Sequence, residues 1–216
     1  METITDNFTK IDAYNSKIYI NVGSLSKEFC DDVITKFDES PNKYNGVVHA
    51  GYKPKIKDTK DMIIYRTNKD WREIYDTLYR ELKYNISKYV EKINNVEDYK
   101  SVYNNTDIDD YKLLINQELH IDFFMTQRYT QNTGRYIYHN DFYVDYVLKK
   151  YRVLTFLWYL NDVDIGGETT FEGLYKIKPQ TGKLIIFPSC WTYPHCGKMP
   201  ISSDKYIITG WIYAER

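Results

Sequence analysis

Several features that would mark a membrane, secreted or nucleic-acid-binding protein are missing from this sequence. No apolar run approaches the roughly 18 residues that a membrane-spanning helix requires. The first residues contain neither a basic stretch nor an apolar segment, so no secretory signal is expected and the cytosol is the expected compartment. The 29 basic side chains are balanced by 30 acidic ones, which disfavours a dedicated nucleic-acid binder, because that class normally has a basic excess.

Cysteine and glycine motifs that would indicate other enzyme classes are also missing. The three cysteines, Cys30, Cys190 and Cys196, cannot all pair within the chain, and in a reducing compartment free thiols are expected. Cys190, His195 and Cys196 lack the C-x2-C spacing and the fourth ligand of a structural zinc site. No G-x-S-x-G motif and no phosphate-binding glycine loop is present, so nothing supports a serine hydrolase or a nucleotide-binding enzyme.

Aromatic residues, above all tyrosine, are abundant. Aromatic side chains make up 17% of the chain and include 23 tyrosines. Hydrophobic residues make up 43% and the mean hydropathy is -0.59, a composition typical of a soluble folded protein. Tyrosine favours strands and can place its hydroxyl at the wall of a pocket. A length of 216 residues suits a single domain.

Hydrophobic periodicity predicts helices in the first half of the chain. Residues 17–22 alternate like a strand, and Ser26 is a suitable N-cap for a helix over Lys27–Phe37. Residues 40–60 show little periodicity and are expected to form a loop. The longest helix is predicted from Trp71 to Asn94, where the apolar residues follow an i, i+3, i+4 stripe that would pack against a sheet.

From residue 119 onward the pattern changes to short β-branched and aromatic runs separated by turn signals. These runs are 119–129, 151–160, 173–178, 183–187 and 205–213. Such a pattern predicts a β-sandwich or barrel. The expected fold class is therefore α+β, mainly β, in a single domain over residues 1–216. Residues 1–118 would supply helical support and the first strands, and residues 119–216 would form the β-core.

Two of the four histidines lie in an informative context. His139 and Asp141 are two residues apart, so in an extended segment their side chains point to the same face. His195 follows a later strand pattern. Two imidazoles and one carboxylate are the ligands of the facial triad that holds non-haem Fe(II) and leaves coordination positions open. An H-x-D motif also arises by chance, so the motif alone is equally compatible with a His–Asp pair on the protein surface that binds no metal.

A lysine inside an apolar strand is a second indication of a ligand site. Lys205 begins the run Lys205–Tyr213. A cation in such a strand is costly unless an anion meets it. An organic diacid would be a suitable partner.

The order of these residues and their neighbours resembles the prolyl 4-hydroxylase branch of the 2-oxoglutarate and Fe(II)-dependent dioxygenases. The resemblance covers roughly residues 119–213. It consists of the motifs Y-x4-G-x4-H-x-D, R-x2-T-x3-Y-L-N, G-G-E-T, P-x2-G-x-L-x2-F, H-x-G-x2-P and K-x5-W, in that order. The fold that it implies is a double-stranded β-helix, or jelly roll, backed by helices.

The resemblance also implies roles for individual residues. The positions that match the iron ligands are His139, Asp141 and His195. Lys205 matches the basic residue that pairs with the distal carboxylate of 2-oxoglutarate. The positions that match residues around the cosubstrate and metal are Tyr129, Tyr159, Thr155 and Trp211. Arg152 matches an arginine near the substrate groove.

The implied activity is hydroxylation of prolyl residues in a peptide or protein, coupled to oxidative decarboxylation of 2-oxoglutarate to succinate and CO2. Fe(II) is the implied cofactor, 2-oxoglutarate and O2 are the cosubstrates, and ascorbate is the implied reductant. The irregular stretches 40–60 and 141–151 are expected to flank the substrate groove. No membrane partner is expected, and a nucleic-acid partner is disfavoured because the last strand offers Lys205 and no arginine before Arg216.

Two alternatives stay open. The same chemistry could act on another side chain, a free amino acid or a nucleobase. The chain could also be a non-catalytic jelly-roll binding module that has kept the pocket by descent.

Overall fold

Helices pack on one side of a large antiparallel sheet in this chain, as seen in a computed structural model that describes residues 10–11, 17–94, 119–171 and 175–215. The helices are α1 (Lys27–Glu39), a 3-10 turn (Lys69–Trp71) and α2 (Arg72–Asn94). None of the described helices is both long enough and apolar enough to span a bilayer. Residues 95–118 of the predicted support region lie outside the described residues.

Two antiparallel sheets contain the strands. In chain order the strands are β1 (Lys10–Ile11), β2 (Tyr19–Asn21), β3 (Tyr44–Asn45), β4 (Lys57–Asp58), β5 (Lys60–Ile64), β6 (Leu119–Ile121), β7 (Phe124–Tyr129), β8 (Arg135–His139), β9 (Val144–Asp145), β10 (Lys150–Tyr159), β11 (Thr169–Phe171), β12 (Tyr175–Ile177), β13 (Leu184–Pro188), β14 (His195–Gly197) and β15 (Lys205–Glu215). The larger sheet has the order β1-β2-β13-β10-β15-β7-β5-β3, with β6 paired to β15 and β9 to β10. The smaller sheet has the order β12-β11-β14-β8-β4.

The two helices form as their sequence patterns predict. Ser26 caps α1 by accepting a hydrogen bond from the main-chain N–H of Phe29 (3.2 Å), and α1 buries Cys30, Val33 and Phe37. The buried stripe of α2 runs from Tyr75 to Ile93 and packs in the same core as residues of β10 and β15. Tertiary packing of these apolar faces against the large sheet supplies most of the stability of such helices.

The prediction of a loop over residues 40–60 is wrong in part. This segment contains β3 and β4, and β5 begins at its last residue. β5 pairs with β7 in the large sheet and β4 pairs with β8 in the small one. The partners are far away in sequence, and the short strands carry charged residues, so local hydrophobic alternation does not reveal them. Similarly, the predicted loop 141–151 includes β9.

Alternation along the central strands β10 and β15 separates a helix-facing side from an interior between the two sheets. On β10, Phe156 and Trp158 pack against the helices, whereas Thr155 and Leu157 face the interior. A β-bulge between Arg152 and Leu154 shifts this alternation by one residue. Arg152 therefore faces the interior on the same side as Thr155, although the two positions are three apart and in a regular strand would face opposite sides.

Candidate active site

His139, Asp141 and His195 come together at the interior face of the small sheet. His139 ends β8 and His195 begins β14, and the register of these two strands places them directly opposite each other. Asp141 follows in the loop towards β9. Asp141 Oδ1 lies 3.7 Å from His139 Nε2, and Asp141 Oδ2 lies 3.5 Å from His195 Nε2. The possible ligand atoms of the three residues all lie within 4.8 Å of one another.

The main chain fixes the tautomer of both imidazoles. His139 Nδ1 lies 2.8 Å from the carbonyl oxygen of Ile137, and His195 Nδ1 lies 3.1 Å from that of Tyr193. Since a carbonyl oxygen only accepts, each Nδ1 carries a proton, so in the neutral ring Nε2 is the nitrogen that presents a lone pair. Burial, reinforced by the neighbouring His195, lowers the pKa of His139 to about 4. This imidazole is therefore neutral at physiological pH, as a metal ligand must be.

The carboxylate of Asp141 is buried but ionised. Burial alone would favour the neutral acid, but the adjacent His195 and His139 and a hydrogen bond from Thr155 outweigh it and lower the pKa of Asp141. Thr155 Oγ1 donates to Asp141 Oδ2 at 2.8 Å. Two neutral imidazole nitrogens and one carboxylate are a donor set that suits Fe(II) and leaves coordination positions open, so the residues present fit this metal.

A cavity of about 770 Å³ lies between the two sheets and reaches the three side chains. Lys205 lies on its wall and is only 1% exposed. Lys205 Nζ donates to the carbonyl oxygen of Gly167 (2.9 Å) and lies 3.9 Å from the centre of the Tyr129 ring, but it forms no ion pair with a described carboxylate. Burial lowers the pKa of Lys205 to about 7, against the opposing effect of Glu168. An anion that entered this cavity would stabilise the charged lysine.

The structure brings most of the other residues singled out in the sequence to this cavity. Tyr129, Thr155, Trp211 and Arg152 all line it. The guanidinium carbon of Arg152 lies 3.5 Å from the centre of the Trp211 ring, a cation–π contact. Arg152 Nη1 also lies 3.4 Å from the main-chain oxygen of Asp141.

Tyr159 is not among the residues that line the cavity, so its expected place beside the cosubstrate stays a prediction. Its side chain is fully buried and packs with Phe171 and Ile177 of the small sheet. The hydroxyl of Tyr159 donates to Thr169 Oγ1 at 2.6 Å, and Thr169 does line the cavity. Tyr159 lies four residues further along β10 than Thr155, within the buried cluster that contains Phe171 and Ile177.

A buried polar cluster on the cavity wall carries no sequence motif. Lys57 and Asp61, which are 5% and 1% exposed, form an ion pair of 2.6 Å. Thr59 Oγ1 and Gln127 Nε2 donate to the same carboxylate at 2.7 and 3.3 Å. Sequence reasoning missed this cluster because the lysines and aspartates of residues 57–61 look like a solvated charge run. The only signal is that Lys57, Thr59 and Asp61 recur every second residue.

Residues of the stretches 40–60 and 141–151 line the outer part of the cavity, which we call the mouth; that these stretches flank a substrate groove stays a prediction. The stretch 40–60 contributes Tyr44, Val47, Val48 and His49, and the stretch 141–151 contributes Phe142, Tyr143, Val144 and Tyr146. Several of these side chains are apolar yet exposed, and Phe142 and Tyr146 are 54% and 83% exposed. The mouth therefore offers an aromatic surface beside the metal-ligand set.

Part of the chain matches a known protein family. Residues 124–213 match the model of the 2OG-Fe(II) oxygenase superfamily. This segment includes His139, Asp141, His195 and Lys205. No curated protein gives a significant match to the chain.

Solved structures with a similar fold include three prolyl hydroxylases. The viral collagen prolyl hydroxylase of Paramecium Bursaria Chlorella virus-1, solved as a 2OG complex, is 22% identical with a TM-score of 0.60, over 92% of this chain and 96% of that one. A Trichoplax adhaerens prolyl hydroxylase, in complex with a hypoxia inducible factor oxygen degradation domain peptide fragment, is 20% identical with a TM-score of 0.64, over 92% and 84%. A Pseudomonas putida prolyl-4-hydroxylase is 14% identical with a TM-score of 0.59, over 93% of each chain. These similarities confirm the jelly-roll fold.

Proposed function

We propose that this chain, in which residues 124–213 match the model of the 2OG-Fe(II) oxygenase superfamily, hydroxylates prolyl residues in a peptide or protein, as a prolyl 4-hydroxylase-like dioxygenase. The reaction consumes 2-oxoglutarate and O2 and yields succinate, CO2 and the hydroxylated product. One observation carries the proposal. A His–Asp–His ligand set and a buried lysine, Lys205, line one cavity.

The metal that we assign to the site is Fe(II), held by His139, His195 and Asp141. When bound, the iron supplies the redox chemistry that activates O2 with electrons from 2-oxoglutarate. The chain itself sets the protonation of the ligands. Hydrogen bonds to carbonyl oxygens hold both imidazoles with Nε2 free, and Thr155 donates to the ionised carboxylate. The protein contributes geometry and a cavity that excludes bulk water.

Lys205 is the residue that we assign to the distal carboxylate of 2-oxoglutarate. Its ammonium group is buried on the same cavity wall, where the ring of Tyr129 lies against it. An ion pair is stronger in this buried surrounding than in water. Binding of the carboxylate would also offset the penalty of burying the lysine ammonium group without an anionic partner. Tyr129, Thr155 and Trp211 would form the wall around the cosubstrate.

A peptide segment is the substrate that the cavity mouth favours. Exposed aromatic side chains border the opening, and aromatic-lined grooves bind extended proline-containing segments because such segments are already stiff and lose little entropy on binding. Arg152 lies on the cavity wall and is the charged residue that we expect to contact the substrate. The Trichoplax adhaerens relative, solved in complex with a peptide fragment, supports a peptide here.

Turnover with a peptide library tests the proposal against both alternatives. The enzyme is incubated with Fe(II), 2-oxoglutarate, ascorbate as the proposed reductant and proline-containing peptides, and succinate and peptide masses are measured. We expect succinate together with peptides that have gained one oxygen atom, and neither product with His195→Ala. Succinate without a change in any peptide would indicate another substrate. No succinate at all would indicate a non-catalytic binding module.

A further inference from the structure

A chain of two buried hydroxyl groups ends on the carboxylate of Asp141. Thr155 Oγ1 lies 2.8 Å from Asp141 Oδ2 and 3.0 Å from Ser189 Oγ. An ionised carboxylate only accepts, so the Thr155 hydroxyl donates to Asp141. That hydroxyl has one proton, so at Ser189 it acts as the acceptor. The direction is therefore fixed from Ser189 through Thr155 to Asp141, and such consecutive hydrogen bonds strengthen one another.

Thr155 lies on a strand and Ser189 directly follows one, whereas Asp141 lies in a loop. Thr155 is in the middle of β10 and is paired with Phe187 on one side and Trp211 on the other. Ser189 directly follows β13, and its main-chain N–H donates to the carbonyl oxygen of Val153 (2.9 Å). Thr155 and Ser189 are both buried. The rigid large sheet thus fixes the side chain of a residue whose own segment is irregular.

The hydrogen bond reaches only one of the two carboxylate oxygens. Among the described residues Asp141 Oδ2 accepts from Thr155, and no hydrogen bond to Oδ1 is formed. A carboxylate that binds a metal through both oxygens occupies two coordination positions, whereas one that binds through a single oxygen leaves a further position for the cosubstrate. Oδ2 already uses one of its lone pairs for Thr155, whereas both lone pairs of Oδ1 remain available to a metal, and this favours Oδ1 as the ligand atom.

We propose that Ser189 and Thr155 are positioning residues that hold Asp141 as a ligand through a single oxygen, Oδ1. This inference rests on the metal site proposed above. It gives Thr155 a second role besides its place on the cavity wall, and it gives Ser189 a role that no sequence motif indicates. Residues that hydrogen-bond to a metal ligand without binding the metal themselves commonly change metal affinity by about 10- to 100-fold when they are mutated.

Titration of Co(II) into the metal-free protein, followed by its visible absorption, tests the proposal. The variants are Thr155→Val, Ser189→Ala and Thr155→Ser, with Thr126→Val as the matched control. Thr126 is also buried on a strand of the large sheet, but its hydroxyl has no hydrogen-bond partner among the described residues. Thr155→Val should weaken Co(II) binding by about 10- to 100-fold and Ser189→Ala by less. Thr155→Ser, which keeps the hydroxyl, should stay close to the parent, and Thr126→Val should change nothing.

Thermal melting of the metal-free variants and 2-oxoglutarate binding distinguish ligand positioning from a purely structural role and from a cosubstrate contact. If Thr155→Val lowers the melting temperature but leaves Co(II) affinity within threefold of the parent, the hydrogen bonds serve stability alone and the inference is wrong. If Co(II) affinity is unchanged and only 2-oxoglutarate binding weakens, Thr155 contacts the cosubstrate and the inference is again wrong. If the parent itself binds no Co(II), the proposed metal site fails and the inference fails with it.

Discussion

Lys205→Met removes the one buried charge that we assign to 2-oxoglutarate and keeps a side chain of similar length. In the parent, the ammonium group lies between the carbonyl oxygen of Gly167 and the ring of Tyr129, and it is 1% exposed. Methionine fills this space without a charge. The cosubstrate would then enter the cavity with a carboxylate that has no cationic partner.

The expected loss follows from the burial of the pair. Removing one partner of a buried ion pair costs about 3–5 kcal/mol, because the other charge stays buried and uncompensated. At about 1.4 kcal/mol per factor of ten, this corresponds to 2-oxoglutarate binding that is weaker by roughly two to three and a half orders of magnitude. Metal affinity should change little, since Lys205 is not a ligand. Lys205→Arg should restore binding only in part, because the planar guanidinium needs more room.

The pH dependence gives an independent signature of the same lysine. Its pKa in the ligand-free protein is lowered to about 7 by burial, and the dianionic cosubstrate pairs with the protonated form. Affinity should therefore fall by up to about tenfold per pH unit above pH 7, because binding must take up a proton. The unfolded chain holds this proton up to its ordinary pKa near 10.5, so the parent also gains stability as the pH rises from about 7 towards that value. Both dependences should disappear in Lys205→Met.

Calorimetric titration of 2-oxoglutarate into Zn(II)-loaded protein measures the effect without turnover. Lys183→Met is the matched control, because Lys183 is also buried and burial also lowers its pKa, to about 8, but it does not line the cavity. The control should bind 2-oxoglutarate like the parent. An affinity of Lys205→Met within threefold of the parent, or an equal loss in both variants, would refute the assignment of Lys205.

Asp61→Ala should lower the free energy of unfolding by about 3–5 kcal/mol, because Lys57 stays buried without its partner. Urea denaturation measures this, with Asp32→Ala at an exposed position as the control. An equally small decrease in the free energy of unfolding of both variants would contradict the prediction. His139→Ala should abolish succinate release while circular dichroism shows an intact fold, and full activity would disprove the metal assignment. Hydrogen exchange over residues 141–151 should slow when a verified peptide substrate binds, because this segment borders the cavity mouth; unchanged exchange would exclude it from recognition.

Features that depend on local periodicity can be predicted from the sequence. The stripes of α1 and α2 and the cap at Ser26 are formed by residues a few positions apart, so the sequence displays them directly. The runs that form β10 and β15 are β-branched and aromatic along their length, and they too are predicted as strands. The first residues of the predicted strand 173–178 lie outside the described residues, and its remainder is seen as β12.

Features that depend on pairing between remote segments cannot be predicted in this way. β5 joins the large sheet because β7 lies beside it, and nothing within residues 60–64 indicates that partner. The buried pair of Lys57 and Asp61 looks like surface charge until both sheets are assembled. For the same reason the sequence does not reveal that Thr155, which lines the cavity, also donates its hydroxyl to Asp141.

Transfer of both atoms of O2 is the most direct test of the proposed dioxygenase activity. The enzyme is supplied with oxygen-18 gas, Fe(II), 2-oxoglutarate and a proline-containing peptide, and both products are analysed by mass spectrometry. The proposed reaction places one labelled oxygen atom in succinate and the other on a prolyl ring of the peptide. Labelled succinate with an unlabelled peptide would contradict prolyl hydroxylation, and the absence of label from both products would contradict the enzyme assignment itself.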